Sequence, residues 1–361
     1  MRVLIAGGGT GGHVIPALAI ARQVRDTYGA EVLFVGTARG LETRLVPEAG
    51  FSLELIHVGQ LKNVSIATKL RTLFDLPLGI LRCIRLLKKY RPHVVVGVGG
   101  YASGPAMLAA ILLRVPTLAF EPNAAPGLAN RLAGKWVSAA AVNFEETRSY
   151  FRNARVTGIP VRPEFFSLIP KPAGTRKRLL VFGGSQGAKI LNEAMPKILF
   201  PLLCDVKELT VLHQSGSRTE AATRQEYLET GADESHWQVN AYLDDMPSRF
   251  AEADLILCRS GASTMAELAA AGKAALLVPF AAATDDHQRK NADVFVAAGA
   301  AKMLLEAELE PQRLINTLME LLSDDAALSA MGERARALAH RDAVAVIGKM
   351  VFELAGAKKS G

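Results

Sequence analysis

Cysteine is scarce. Three residues, Cys83, Cys204 and Cys258, are spread over 361 positions, and their spacing fits neither a disulfide framework nor a metal-ligand set. Each is expected in an apolar element, as a small core residue of a chain kept in a reducing compartment. Long apolar runs are also missing. PAMLAAILL and AALLVPFAAA contain or adjoin proline and fall short of the roughly 18 residues a spanning helix needs. The opening MRVLIAGGG has too short an apolar run for a signal peptide, because glycines cut it off; a cytosolic chain is expected. Aromatics make up only 6%, while Ala, Leu and Val dominate, which suits α/β layers. Acidic residues are nearly absent between Lys62 and Arg91. There, eight Lys or Arg stand against Asp75 alone, an excess equal to the formal +7 of the whole protein. Such a patch calls for a partner.

What is present is alternation. Strands are predicted at Val3–Ala6, Val32–Val35, Leu53–Ile56, Val94–Val98, Thr117–Phe120 and Ala139–Val142, separated by helical patterns such as Ile15–Tyr28 and Ala102–Leu113. The pattern pauses at GIPVRPEFFSLIPKPAGTRKR, where four prolines and a basic cluster read as a linker. It resumes at Leu179–Phe182, Thr210–Gln214, Gln238–Val239, Leu255–Cys258 and Ala275–Val278, and the chain from about Pro311 to Ala355 reads as helices only. The signature is that of βαβ units and parallel sheets. Each half opens on a strand, a glycine turn and a helix: GGGTGGH in the first, GGSQGAK in the second. Two similar doubly wound domains are expected, with a ligand facing the carboxyl ends of the strands.

The first turn contains G-x-G-x-x-G at Gly7, Gly9 and Gly12. A nicotinamide site also needs an acid at the end of the second strand. Here that strand ends FVGTARG, its only acid, Glu31, lies at the beginning, and His13 occupies the first helical turn. The dinucleotide reading loses its support, but glycines that admit a ligand and helix N–H groups that favour anions remain. The second turn is not a Walker A loop, since Ala188 precedes Lys189 and Ile190 follows it. A pyrophosphate on that helix, with Ser185 donating its hydroxyl, is compatible. In CRSGASTMAELAAAG, Ser263 or Thr264 is expected to cap a helix with Glu267 in its first turns, and Glu267 could also take two ribose hydroxyls. ATDDHQRKNA supplies Asp285, Asp286, His287, Gln288 and Asn291, amides and carboxylates suited to sugar hydroxyls. A metal at Asp285–Asp286 lacks a third ligand at useful spacing.

Taken together and in order, GGTGGH (8–13), GVGGYASGP (97–105), EPN (121–123), GIPVR (158–162), GGSQGA (183–188), YLDDM (242–246), CRSGASTMAE (258–267) and DDHQRKNA (285–292) resemble the peptidoglycan N-acetylglucosaminyltransferases of glycosyltransferase family 28, in the GT-B group. The resemblance spans nearly the whole chain. It implies an α/β GT-B fold, two Rossmann-like doubly wound parallel-sheet domains facing a central cleft. The expected division is an acceptor and membrane-associating domain over 1–160, a linker over 161–178, a donor domain over 179–340, and a last helix over 341–361 that could return to the first domain. The implied reaction is inverting transfer of GlcNAc from UDP-GlcNAc to the MurNAc 4-hydroxyl of undecaprenyl-linked lipid I. It gives lipid II for cell-wall synthesis, and so serves cell shape and division, with no cofactor and no active-site metal.

Carried over by position, Thr10, Gly11 and Gly12 approach the sugar and pyrophosphate, and Asn123 and Gln288 read GlcNAc hydroxyls. Arg162 and Ser185 lie near the nucleotide and its phosphates, Leu243 offers backbone groups to uracil, and Ala262, Ser263, Thr264, Met265, Ala266 and Glu267 line pyrophosphate and ribose. His13 is the first candidate base, since imidazole titrates near working pH, and Glu121 the second; each has a structural alternative. On the acceptor side stand Lys62, Gly99, Gly100 and Tyr101. Two departures matter: the family often has His-Glu-Gln-Asn where this chain has Phe120-Glu121-Pro122-Asn123, and SGLRGKG where it has GQLKNVS. Residues 66–91 mix leucines with cations. A helix interrupted near Pro77 could rest on an anionic membrane surface, with Leu73, Phe74, Leu76 and Ile80 exposed. The expected location is peripheral, on the cytoplasmic face of the bacterial plasma membrane, with other cell-wall or division proteins as further partners. No nucleic-acid motif is present. The alternatives are another GT-B transferase such as a glycolipid synthase using UDP-galactose, a UDP-sugar 2-epimerase, and a non-catalytic UDP-sugar-binding scaffold.

Overall fold

A computed structural model describes residues 1–38, 40–57, 66–169, 176–206 and 208–356, with backbone alone over 66–76. The chain divides into two compact units, Met1–Pro160 with Asp342–Gly361, and Val161–Arg341.

The first unit is built on β1 (Arg2–Ala6), α1 (Gly11–Tyr28), β2 (Glu31–Gly36), α2 (Glu42–Glu48), β3 (Ser52–Leu55), α3 (Ile66–Tyr90), β4 (Val94–Gly97), α4 (Ser103–Leu112), β5 (Thr117–Glu121), α5 (Leu128–Ala133), β6 (Ala139–Val142) and β7 (Ala154–Val156). Its sheet runs β3-β2-β1-β4-β5-β6-β7, every pair parallel, with Val3 opposite both Val32 and Val94. Helices cover both faces, so the central strands are apolar throughout, and Val94, Val95 and Val96 are fully buried. α1 ends on Gly29 in the left-handed region, whose N–H returns to the Arg25 carbonyl.

The second unit contains β8 (Arg178–Phe182), α6 (Lys189–Asp205), β9 (Thr210–Gln214), α7 (Glu220–Leu228), β10 (Trp237–Asn240), α8 (Met246–Glu252), β11 (Leu255–Cys258), α9 (Ala262–Ala271), β12 (Ala275–Leu277), α10 (His287–Ala297), β13 (Lys302–Met303), α11 (Pro311–Leu322) and α12 (Asp325–Ala337). Its parallel sheet has the order β10-β9-β8-β11-β12-β13. In each unit the strand order reverses beside the first strand, and that is where doubly wound sheets bind ligands. The edge strands β7 and β13 were not evident in the sequence. They are short, and none of their residues is fully buried, so they carry no apolar run.

Three segments differ from expectation or add to it. α13 (Ala343–Gly356) packs on α1 of the first unit, burying Ile347 and Val351 at about 1.5–3 kcal/mol each, and Phe352 stacks on Tyr28. Residues 161–169 are not extended chain. Pro163–Ser167 form a 3-10 turn, and its Phe165 is buried edge-on against Phe250 of α8. α3 runs through Pro77 without interruption, because the proline φ is itself helical and only one backbone bond is lost. Among the described residues no helix is long and apolar enough to cross a membrane.

Candidate functional site

In the first unit the chain leaves β1 through Gly7, Gly8 and Gly9, all at positive φ, and enters α1 behind Thr10. β4 leads into a second glycine pair, Gly99 and Gly100, also at positive φ. The two turns touch: the Gly8 N–H donates to the Gly99 carbonyl, 3.3 Å. A Cβ on Gly100 would lie 2.4 Å from the Gly8 carbonyl oxygen, and one on Gly99 2.8 Å from His13 Nε2. Only glycine permits this approach. Thr10 makes no side-chain cap for α1, so the first N–H groups of the helix are open to an anion. His13 sits half-buried in that turn, its Nδ1 3.5 Å from the Thr10 hydroxyl, and Tyr101, next in sequence to Gly100, is exposed.

Below the first turn lies Glu42, buried at 1% exposure. Its carboxylate accepts the Gly9 N–H at 2.6 Å, the Thr37 N–H at 2.9 Å and the Thr37 hydroxyl at 3.1 Å. A Cβ on Gly8, Gly36 or Gly40 would collide with that side chain. Three glycines therefore make room for one carboxylate, and the carboxylate holds the turn.

Glu121, at the end of β5, is likewise buried. It accepts four N–H donors, from the Asn123 backbone and amide and from Gly127 and Asn130, at 3.0–3.3 Å. Burial pushes its pKa up, and the Asn130, Asn123 and Gly127 donors oppose this. A carboxylate so engaged shapes the 121–127 turn and presents Asn123; it has no accepting capacity directed at a substrate proton. Its second-candidate role as base is not what the geometry favours.

The second unit offers two more open helix starts. α6 begins behind Gly183–Ala188 and α9 behind Gly261, neither with a side-chain cap. The capping box expected from Ser263, Thr264 and Glu267 does not form. The helix starts at Ala262 with Gly261 as N-cap, so Ser263 and Thr264 fall inside the first turn and Glu267 in the second. The first N–H groups of α9 are therefore left without a side-chain cap. Met265 is fully buried and its N–H returns to the Gly261 carbonyl, so it contributes packing. Glu267 is partly open, and among the described residues no hydrogen-bond donor reaches its carboxylate. Burial pushes its pKa up to about 7, and the positive charge of Arg162 pulls it down. Arg162 lies exposed over the Phe165 ring, and Asp245 is held below its usual range chiefly by hydrogen bonds from Ser248, with Arg249 and Arg162 adding to it.

A cavity of about 510 Å³ opens between the second glycine turn and the loop before α10, lined by Gly187, Ala188, Lys189, Arg259, Phe280 and Gln288 among others. The Gln288 Oε1 accepts the Phe280 N–H at 3.0 Å, which turns its NH2 group away from that bond as a donor. Asp285 and Asp286, just before it, both adopt left-handed backbone at φ 54°, an arrangement that costs non-glycine residues about 1–3 kcal/mol each. Arg259 donates to the Val278 and Pro279 carbonyls and pairs with Glu306 at 2.5 Å. Among the described residues no group of three His, Cys, Asp or Glu could hold a metal ion.

The glycosyltransferase family 28 N-terminal domain matches residues 3–142, and the C-terminal domain of the same family matches residues 178–347. The chain belongs to glycosyltransferase family 28. It is 42% identical, over 98% of its length and 93% of the relative, to the UDP-N-acetylglucosamine–N-acetylmuramyl-(pentapeptide) pyrophosphoryl-undecaprenol N-acetylglucosamine transferase of Myxococcus xanthus. It is 44% identical to the transferase of the same name from an Anaeromyxobacter strain, with the same coverage. Its structure is similar to that of Acinetobacter baumannii MurG, with a TM-score of 0.81, 32% identity, and 98% and 99% of the two chains covered. The two parallel Rossmann-like sheets are those of GT-B transferases.

For a family 28 chain, the placement of the expected residues is orderly. Thr10, Gly11, Gly12, His13, Gly99, Gly100, Tyr101 and Asn123 all follow the carboxyl ends of β1, β4 and β5 in the first unit, and Glu121 is the last residue of β5. Ser185, Leu243, Ala262, Thr264, Ala266 and Gln288 follow β8, β10, β11 and β12 in the second. Leu243 is buried and donates its N–H to Gln214 at 2.8 Å, so that N–H is not among the backbone groups it was expected to offer uracil. Lys62 and the side chains of Leu73, Phe74 and Leu76 lie outside the described residues. Ile80 is corrected: it is half-buried and packs on the core, in register with Cys83, Ile84 and Leu87 at helical spacing. Among the described side chains of α3, the exposed leucines are Leu78 and Leu81, one and two residues off that face. Glu42, Gln214 and Arg259 were missed. Each lies two residues from a glycine, and nothing in its own stretch of sequence names the partners it meets in the fold.

Proposed function

We propose that this enzyme transfers N-acetylglucosamine from UDP-GlcNAc to the 4-hydroxyl of the MurNAc of undecaprenyl-pyrophosphoryl-MurNAc-pentapeptide, with inversion, giving lipid II. The observation that carries the reading is identity of 42–44% along 98% of the chain to transferases named for that donor and acceptor. The geometry supports it. In the second unit the uncapped starts of α6 and α9 face the carboxyl edge of one sheet, where the diphosphate of the donor gains fixed N–H dipoles. The same dipoles stabilise the charge that develops on departing UDP. Arg162 adds a cation, Glu267 takes the ribose hydroxyls, Gln288 gives its NH2 to the amino sugar, and no metal is assigned a role.

In the first unit His13 is the base that accepts the acceptor hydroxyl proton as the bond to the anomeric carbon forms. Glu121 positions Asn123. The basic surface serves the lipid. Leu78, Leu81, Arg82, Arg85, Lys88 and Lys89 are exposed along α3, and Leu108 and Leu112 are exposed on the neighbouring α4. Leucines rimmed by cations suit an anionic bilayer, each cation adding about 1 kcal/mol. We place the enzyme peripherally on the cytoplasmic membrane face, where its polyprenyl acceptor lies.

The deciding experiment mixes purified protein, labelled UDP-GlcNAc and a short-chain lipid I analogue. A β1,4-linked disaccharide product and free UDP are expected. Absence of both, with an acceptor verified by another transferase, rejects the reading; disaccharide formation from UDP-galactose in preference to UDP-GlcNAc assigns the fold to glycolipid synthesis instead.

A further inference from the structure

β9 lies between β8 and β10 in the second sheet, and its last residue, Gln214, is buried at 3% exposure. Its amide Nε2 donates to the Gly184 carbonyl at 2.8 Å, and its Oε1 accepts the Leu243 N–H at 2.8 Å. One side chain thus joins the glycine turn that follows β8 to the segment that follows β10. The backbone beyond it completes the wedge. Ser215 and Gly216 donate to the Asn240 and Ala241 carbonyls, at 3.0 and 3.1 Å. On the other side, a Cβ on Gly187 would collide with the Ser215 carbonyl oxygen. Asn192 of α6 braces the same stretch, donating to the Ser215 carbonyl and to Thr219, both at 2.9 Å. Asn192 is itself held by His213, which burial keeps neutral by pushing its pKa down to about 3.

The two loops that Gln214 joins are those assigned above to the two ends of a nucleoside diphosphate, the diphosphate at the glycine turn and the base at Leu243. We propose that Gln214 is a positioning residue that sets the spacing between the diphosphate turn and the base-reading segment, and so couples recognition of uracil to recognition of the diphosphate. The inference rests on the donor-site reading above. Glutamine suits the task because one planar amide both donates and accepts. Glutamate cannot donate to the Gly184 carbonyl, and methionine fills a similar volume with neither function.

The test compares wild type, Gln214→Met and Gln214→Glu by calorimetric titration with UDP and with UMP, with melting temperature and circular dichroism as checks on folding. Either variant that folds is sufficient. UDP affinity is expected to fall about tenfold and UMP affinity about twofold, consistent with the loss of one or two net hydrogen bonds that only the longer ligand exploits together. KM for UDP-GlcNAc rises in parallel, while kcat at saturating donor and KM for the lipid I analogue hold within about twofold. A merely structural residue would weaken both nucleotides alike. Wild-type protein that binds UDP, with variants that keep its UDP-to-UMP affinity ratio, overturns the inference alone; wild-type protein that binds no UDP overturns the donor-site reading and the inference with it.

Discussion

Glu267 gives the sharpest pH test of the donor site. Its carboxyl is pushed by burial from the ordinary 4.5 up to about 7, against the pull of Arg162. To accept two ribose hydroxyls it must be ionised. With a pKa near 7, the ionised fraction is about nine-tenths at pH 8, half at pH 7 and one-tenth at pH 6. Apparent affinity for UDP-GlcNAc is therefore expected to weaken about tenfold from pH 8 to pH 6. UDP-GlcNAc is the right ligand because it lacks the terminal phosphate proton, with a pKa of about 6, that UDP itself would titrate.

Stability moves the other way. The folded carboxyl holds its proton more tightly than the unfolded one, so its contribution is present in full below about 4.5 and is lost as pH rises through about 7. The upper bound is about 3 kcal/mol, reduced to about 1–2 kcal/mol for a side chain partly open to water. Glu267→Gln removes the ionisation cost. It should raise the melting temperature of the second unit by roughly 2–6 °C at pH 8 and leave it unchanged at pH 4.5. The same variant should lose about tenfold or more in donor affinity at pH 8 and show a flat pH profile. A wild-type titration flat between pH 6 and 8, or a Glu267→Gln variant that binds donor as well as the native protein, refutes the assignment.

Other residues yield tests of their own. His13→Ala should lower kcat by about 10²–10⁴ with donor KM little changed; a loss of under fivefold removes His13 as the base. Glu121→Gln sets an NH2 against N–H donors and should cost about 2 kcal/mol of stability, but kcat of the folded variant should stay within about tenfold because the side chain only shapes the turn, whereas a loss beyond a thousandfold in rapid-quench turnover returns it to the chemistry. Glu42→Gln replaces an acceptor-only group with one that turns an NH2 toward the Gly9 or Thr37 donors; about 2 kcal/mol of stability is expected to go, seen as a melting point roughly 4–8 °C lower by calorimetry, and an unchanged melting point contradicts the role given to it. Native alkylation followed by mass spectrometry should label Cys204 alone, because Cys204 is exposed while Cys83, its thiol pushed up to about 11 by burial, and Cys258 are buried.

Much of the fold was legible because it is written locally. Val3–Ala6 before glycines before an amphipathic run is read within about 25 residues, and the same reading recurs at Leu179–Phe182. The open helix starts were legible for the same reason. At α9 the sequence still misled: Ser263 and Thr264 with Glu267 spell a capping box, but Gly261 adopts extended backbone at φ −64°, ψ 143° and begins the helix earlier. A cap that fails to form is what leaves the N–H groups of that helix for a ligand. On α3 Ile80 was misread, since the leucines and isoleucines of LPLGILRCIRLLKK fit more than one stripe, and packing of the described residues puts Ile80, Cys83, Ile84 and Leu87 on the inner side.

The residues that escaped notice share a different property: their partners lie far away in sequence. Glu42 bonds Gly9 across 33 positions and Gln214 bonds Gly184 across 30. Each explains its glycines as much as the glycines explain it. Gly8, Gly36 and Gly40 read in sequence as turn residues, one by one. In the fold they are the three surfaces against which a single carboxylate is packed. A side chain at any of them would displace Glu42 and, through the Gly9 N–H, the turn that starts α1. Substituting Ala at Gly40, which has ordinary backbone and no ligand assigned to it, should therefore impair transfer much as Glu42→Gln does. The two changes should also be non-additive when combined, because they remove the same brace. Additive losses would mean that Gly40 is needed for its own loop and that Glu42 does not transmit its effect to the site.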